Sequence, residues 1–404
     1  MKRLFVLFVV FAAPGSAQTF DLHGFVAADV GRYDAGSSWL HGSFGRLLDG
    51  DDATVAQGKS HVVLHWQASN AITLHLNGIA RYEDDDSRGD AAGIAEAYVQ
   101  AELERSSRSR LRARVGAFFI PTSRENVDEG WTSPYTITFS ALNSWIGEEL
   151  RPIGLDLEQS WSPSANDRLS FAETLFAGND TLGTLLAWRG WSMHDRVTVV
   201  GERLPLPPLR SFETTFADQR RDGTRPIGTD LDGKIGWSAR GRWANGERLV
   251  LQIAHVNNET DRDLHNGEYA WETRFTTWGG EVNVGGATLI VEYLFGSTGM
   301  GFAPRFVQLD YDASYVLLSW KRNPWRVSAR YDAFGASDQD ASAAESNDDD
   351  GEAWTVAAFW EPGRRYRFGV EYLDLDATRH AAVESGFQNE TGGRSLRLEA
   401  RLRF

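Results

Sequence analysis

The sequence predicts an all-β fold, a transmembrane antiparallel up-and-down β-barrel of about eighteen strands, with sixteen as the alternative count. Three observations carry this. Residues 394–404 alternate with period two: Leu396, Leu398, Ala400, Leu402 and Phe404 share one face, and Ser395, Arg397, Glu399, Arg401 and Arg403 the other. A strand apolar on one side and charged on the other suits a wall between lipid and water. The same pattern recurs in segments of about ten residues, the length of a tilted membrane-crossing strand. The connections between segments alternate short and long, as a barrel with tight turns at one end and loops at the other requires.

Taken in order, segments of this kind fall at 20–32, 59–68, 71–82, 94–104, 110–119, 153–162, 168–177, 183–191, 196–204, 231–243, 248–256, 269–284, 287–295, 306–320, 325–334, 352–360, 365–374 and the last at 394–404. In 71–82, Ile72, Leu74, Leu76, Ala80 and Tyr82 oppose Thr73, His75, Asn77 and Arg81. In 110–119, Leu111, Ala113, Val115, Ala117 and Phe119 oppose Arg110, Arg112, Arg114 and Gly116. In 231–243, Leu231, Ile235, Trp237, Ala239 and Trp243 oppose Asp232, Lys234, Ser238, Arg240 and Arg242. Segments 183–191 and 352–360 alternate poorly.

Short links are expected at Ser69-Asn70, 105–109, 163–167, 192–195, 244–247, Gly285-Gly286, 321–324 and 361–364. Longer loops, rich in Asp, Asn, Gly and Ser, are expected at 33–58, 83–93, 120–152, 205–230, 257–268, 335–351 and 375–393. The links near 178–182 and 296–305 are short for that side. Trp161, Trp243, Trp325, Tyr366 and Phe404 are expected outward beside the short turns as one interfacial girdle, with Tyr33, Tyr82, Phe119 and Tyr372 toward the loop side.

At the other end of the chain, Lys2 and Arg3 precede an apolar run from Leu4 to Ala13, then Pro14-Gly15-Ser16-Ala17. That order predicts a signal peptide, residues 1–17, cleaved after Ala17, and a run too short to span a bilayer. Residues 18–404 show no linker or composition break and are expected to form one barrel domain. Because Gln18 to Arg32 reads as a strand, no plug domain is expected before it. Mean hydropathy of -0.38 excludes a helical membrane protein but not a barrel, where half of each strand faces water. With 56 acidic against 41 basic residues, nucleic acid is not an expected partner. Zero cysteines removes disulfide and thiolate chemistry.

The terminal Phe404 on an alternating strand resembles the assembly signal of Gram-negative outer-membrane barrels, which implies the barrel-assembly machinery, outer-membrane lipid and lipopolysaccharide as partners. The segment from Gly116 to Asn126 (GAFFIPTSREN), then Ser133-Pro134-Tyr135 and Asn143 to Arg151 (NSWIGEELR), resembles the third-loop region of porins, in particular the phosphate-selective porin superfamily. The resemblance covers about forty residues. It implies a long third loop folded into the lumen, passive diffusion of small hydrophilic solutes or ions through the outer membrane, and homotrimers as a common assembly. The lysine ladder expected of phosphate specificity is missing, since Lys59, Lys234 and Lys321 are the only lysines after Lys2.

A barrel this wide encloses water unless something fills it, so transport is the default function. Arg110, Arg112 and Arg114 form a short inward ladder, joined on other strands by Arg240, Arg330 and Arg397. The third loop brings Arg124, Glu125, Asp128, Glu129, Glu148 and Glu149. A basic wall facing an acidic loop would set up a transverse field and an anion preference, the alternative being a merely hydrated wall of mixed charge. No cofactor or metal is expected. The acidic runs 83–86 and 348–352 read as solvated loops. Asp261 to Gly267 lacks the downstream Glu of a calcium loop, with Thr273 and Arg274 in its place. His61 and His65 lie too far apart along one strand to share an ion. Two other functions stay open: a barrel enzyme of phospholipase or protease type, for which neither a Gly-x-Ser-x-Gly nor a His-Glu-x-x-His motif is present, and a closed structural or adhesin barrel.

Overall fold

The computed structural model describes residues 18–83, 90–340 and 345–404. The expected signal peptide and the acidic residues 84–86 lie outside them. Sixteen strands close into one antiparallel barrel. They are β1 (Thr19–Ala35), β2 (Thr54–Gln67), β3 (Ile72–Glu83), β4 (Ala92–Arg105), β5 (Ser109–Ala117), β6 (Ile153–Trp161), β7 (Asp167–Ala177), β8 (Gly236–Asn245) and β9 (Leu249–Asn257), followed, after a small hairpin of β10 (Leu264–His265) and β11 (Glu268–Tyr269), by β12 (Glu272–Val284), β13 (Ala287–Phe302), β14 (Arg305–Arg322), β15 (Trp325–Asp338), β16 (Asp349–Trp360), β17 (Tyr366–Arg379) and β18 (Gly393–Arg403). Three short helices sit in loops: α1 (Ala141–Glu149), α2 (Thr184–Arg189) and α3 (His380–Glu384).

Closure comes from β18 pairing with β1, Leu402 opposite Val26 and Ala400 opposite Ala28. The Phe404 N–H donates to the Gly24 carbonyl at 3.0 Å, so the last residue completes the seam. The two faces of β18 are those the alternation assigns: Leu398 is 57% exposed, while Arg397 and Glu399 are 1% and 3% exposed. Since the outer face is apolar all round the wall, with Leu157, Phe171, Ile253, Val316, Val356 and Leu396 open to the surroundings, the barrel presents a lipid-compatible band. No described helix is long and apolar enough to cross a membrane.

Sixteen strands, not about eighteen, is the count, and the difference has one source. Segments 183–191 and 196–204 are not strands. They belong to a single connection from 178 to 235, between β7 and β8, that folds into the barrel. A wall strand must leave one face open to lipid, but Leu182, Leu185, Leu186, Ala187, Trp188, Trp191, Met193, Val197 and Val199 are all buried. The apolar content that imitates strands there covers both sides of an internal segment. By contrast 352–360, equally irregular to the eye, is a regular wall strand, β16.

Trp161, Trp325, Tyr366 and Phe404 stand outward at the turn end as expected, and Tyr82 and Tyr372 outward at the loop end. Tyr33 and Phe119 correct the expectation by being buried inside. Tyr33 is in phase with the inward Phe25 and Asp29, and Phe119 lies past the end of β5, where strand parity no longer applies. The run 348–352 is not simply solvated, because Asp349 is buried in an ion pair with Arg46.

Candidate functional site: the barrel interior

The connection from 118 to 152 leaves β5 and crosses the lumen. Phe119 and Trp131 stack with ring centroids 4.2 Å apart, and the Arg151 guanidinium lies 3.4 Å from the Phe119 centroid. Glu125 is the loop's hub. It accepts from the Ser140 hydroxyl at 2.7 Å, the Asn143 amide at 2.7 Å and the Arg330 guanidinium of β15 at 2.6 Å. Arg330 also donates to Asp332 at 2.7 Å and to the carbonyls of Thr138 and Phe139 at 2.8 and 2.9 Å. Wall carboxylates take the loop's backbone directly: Glu371 of β17 accepts from the Thr138 N–H at 2.9 Å, and Glu292 of β13 from the Arg124 N–H at 2.6 Å. Buried backbone donors must be paired, and here the wall supplies the acceptors.

The second inward connection, 178–235, locks onto the first. Glu149, at the end of α1, accepts from the Gly183 and Leu185 N–H groups at 3.2 and 2.9 Å, at the N-terminus of α2, and from the Trp145 indole at 2.6 Å. Burial pushes its carboxyl up to about 7 in spite of those donors. Its neighbour Glu148 goes the other way. Burial would raise it, but Arg189 at 2.7 Å and His194 at 3.1 Å outweigh that and bring it to about 2. Gly183, with φ +97°, permits the close approach: a Cβ there would stand 2.2 Å from the Thr298 hydroxyl of β13. Trp145 makes edge contacts with Trp191, Phe275 and Tyr311, and Trp188 with Phe212 and Trp271. Against this block the inner face of β14 is apolar and buried, with Val307, Leu309, Tyr311, Ala313, Tyr315 and Leu317 in succession. The β12–β15 side of the lumen is therefore dry.

The other side is open. A cavity of about 500 Å³ lies at the turn end between β5–β9 and residues 121–124 of the first loop, and Arg110, Arg112, Arg124, Arg168, Arg240 and Arg242 line it against Glu158 and Asp167. A second cavity shares Arg110 and Arg168 and adds Arg105 and Arg108 at the mouth, with serines and no carboxylate in its lining. Four of these cations are paired: Arg110 with Glu102 at 3.2 Å, Arg112 with Glu158 at 2.9 Å, Arg124 with Glu281 at 2.8 Å and Arg240 with Asp156 at 2.6 Å. The side chains of Arg105, Arg108, Arg168 and Arg242 make no hydrogen bond or ion pair among the described residues. In a chain with 15 excess negative charges, this chamber concentrates positive charge.

The expected site residues thus separate into two groups. Arg110, Arg112, Arg124 and Arg240 line the wet chamber, and Arg114 sits behind it, bound to Asp156 at 2.7 Å. Glu125, Glu148, Glu149, Arg330 and Arg397 are fully or almost fully buried, and Arg397 bridges Asp29 at 3.0 Å and Asp195 of the second loop at 2.9 Å. Asp128 pairs with Arg403 at 3.0 Å, and Glu129 lies 3.6 Å from His23. Acidic loop and basic wall meet as direct ion pairs rather than across open water. Sequence reasoning passed over Arg168, though it is in phase with Ser170 and Ala172. It also passed over Glu281 and Glu292, and it placed Glu371 toward the lumen without seeing it as an acceptor for the loop; these roles depend on contacts across the lumen that strand parity does not reveal.

No protein-family model matches the chain, and no curated protein sequence is similar to it. Solved structures are similar in fold. OmpF of Salmonella typhi, in complex with daunomycin, aligns with a TM-score of 0.58 at 9% identity over 95% of this chain and 97% of that one. The outer membrane channel DcaP of Acinetobacter baumannii gives 0.54 at 11% identity over 98% and 99%. OmpT of Vibrio cholerae, an outer membrane protein in trimer form, gives 0.53 at 11% over 96% and 100%. The chain has the fold of these outer-membrane barrels along essentially its whole length.

Proposed function

We propose that the protein is a porin of the bacterial outer membrane, a channel for passive diffusion of small hydrophilic solutes with a preference for anions. The observation that carries this reading is the arginine-lined aqueous chamber inside a barrel whose outer surface is apolar. Fixed guanidinium groups, half of them without a bound carboxylate, attract anions and repel cations where the surrounding dielectric is low. The likeness of residues 116–151 to the third loop of phosphate-selective porins supports the preference, with arginine standing in for lysine. On the same reading residues 1–17 are a cleaved signal peptide, Phe404 serves recognition by the assembly machinery, lipopolysaccharide and lipid surround the wall, and three copies associate, as in the trimer form of the Vibrio OmpT.

The test is liposome swelling with the refolded, untagged protein, run beside hydrolysis of an uncharged chromogenic ester. Swelling in small neutral and anionic solutes without ester cleavage is expected. The dry block around Trp145 and Trp191 favours one alternative, a closed structural barrel, and a folded protein that gives no swelling would establish it. Ester hydrolysis without swelling would instead make the barrel an enzyme.

A further inference from the structure

On the β1–β3 side of the turn end, three histidines and two carboxylates converge on a patch of the lumen wall that plays no part in the channel reading. Asp21, His23 and His65 each offer one ligand atom, and those atoms all lie within 4.8 Å of one another. Cross-strand register accounts for the meeting: Asp21 is directly opposite His65, His65 is opposite His75, and His23 follows Asp21 on the same inward face. The first inward loop adds Glu129, so that His23 Nδ1 stands 3.7 Å from an Asp21 oxygen and 3.6 Å from a Glu129 oxygen.

Those separations are too long for hydrogen bonds and close to what an ion between the atoms would set. Zinc bonds of about 2.0–2.1 Å to nitrogen and oxygen put neighbouring ligands of a tetrahedron roughly 3.3 Å apart. Backing groups for such a site are present. One ring nitrogen of His65, Nε2, is 2.6 Å from Nδ1 of His75, which leaves the other ring nitrogen for a metal. Nε2 of His75 is buried without a hydrogen bond, 3.5 Å from Glu96, and the His75 ring stacks on Tyr98 at 4.5 Å. A ligand histidine hydrogen-bonded to a second polar side chain is the arrangement that fixes tautomer and ring orientation in metal sites, and Glu96 stands next in line behind His75. His23 and Asp21 are open to water, so an ion can reach them from the turn end.

We infer that Asp21, His23 and His65 form a binding site for a divalent transition metal of the zinc class at the turn-end mouth of the lumen, with Glu129 beside it at 3.6 Å from His23. Mixed imidazole and carboxylate donors select zinc, copper or nickel over calcium and magnesium, which want six or more oxygens or mostly water. The three ligands come from β1 and β2, and Glu129 of the loop between β5 and β6 lies next to them, beside the Asp128–Arg403 pair that anchors that loop to the wall.

The experiment is isothermal titration of refolded, untagged full-length barrel with zinc chloride in detergent, with calcium chloride as the contrast. One zinc per chain at micromolar affinity or tighter is expected, with little heat from calcium. His23→Ala and His65→Ala should each weaken zinc at least tenfold, with folding checked by heat-modifiable migration on gels. If either variant fails to refold, copper bound to the native protein should show nitrogen hyperfine coupling in its EPR spectrum. No zinc binding, unchanged binding in a folded His23→Ala/His65→Ala double variant, or a copper spectrum without nitrogen ligands would overturn the site. None of these readouts involves conductance, so their failure leaves the channel reading standing.

Discussion

Glu125 and Arg330 show what a charged side chain does in this interior. Both are fully buried, each is held by several hydrogen bonds, and together they fasten the first loop to β15. Removing one member strands the other in a low-dielectric site. Glu125→Ala should therefore destabilise the barrel by about 3–5 kcal/mol, whereas replacing both with apolar residues of similar size should cost much less. Urea unfolding in detergent micelles, followed by tryptophan fluorescence, checks this. A folded single variant within about 1 kcal/mol of the parent would refute the role given to the pair. On the outer face the governing term is lipid. Leu398→Arg, at a residue 57% exposed on the closing strand, should cost about 2–4 kcal/mol of stability in bilayers if it lies near the midplane. Strand parity made both faces of β18 readable from sequence, and it correctly separated Leu398 from its inward neighbours Arg397 and Glu399. It could not say that Arg397 would be taken up by Asp29 and Asp195, because pairing across a lumen is set by the register of distant elements.

Between elements, the junction of α1 and α2 carries the clearest pH dependence. Glu148 is depressed to about 2, so its contribution to docking is present above the ordinary carboxylate range and lost as pH falls from about 4.5 toward 2. Glu149 is raised to about 7, so the docked state favours its protonated form, and its contribution weakens as pH climbs from about 4.5 through 7. The junction should be tightest between those limits. Emission from Trp145, Trp188 and Trp191 on titration should report loosening at both ends, and Glu149→Gln should abolish the change near neutrality while leaving the acid limb intact. A Glu149→Gln protein that still changes near pH 7 would contradict this assignment. This is also the element the sequence concealed. Residues 183–191 and 196–204 carry apolar side chains at strand-like spacing, and a chain segment buried on all sides looks, to periodicity alone, much like a poorly alternating wall strand.

At the scale of the whole molecule, two kinds of interior share one barrel. The β12–β15 half is packed by Trp145, Trp188, Trp191 and the apolar inner face of β14, and the β5–β9 half holds an arginine-lined cavity. The barrel class, the closing strand, the inward third loop and most turns were legible, because lipid on one side and turns at one end impose strict patterns. The dry half was not, since nothing in a strand's own alternation tells whether its inner face meets water or a folded loop; β14 alternates as well as any, and only the apolar identity of Val307, Leu309 and Leu317 hinted at it. On the channel reading, the β5–β9 half conducts and its free arginines set the sign of the current. The most direct measurement is the single-channel reversal potential of the refolded protein in a potassium chloride gradient, compared with that of Arg168→Gln/Arg242→Gln. Discrete conductance steps that reverse on the chloride side, with a shift toward zero in the double variant, are the predicted result; a folded barrel that never opens, or a reversal potential indifferent to both substitutions, would contradict it.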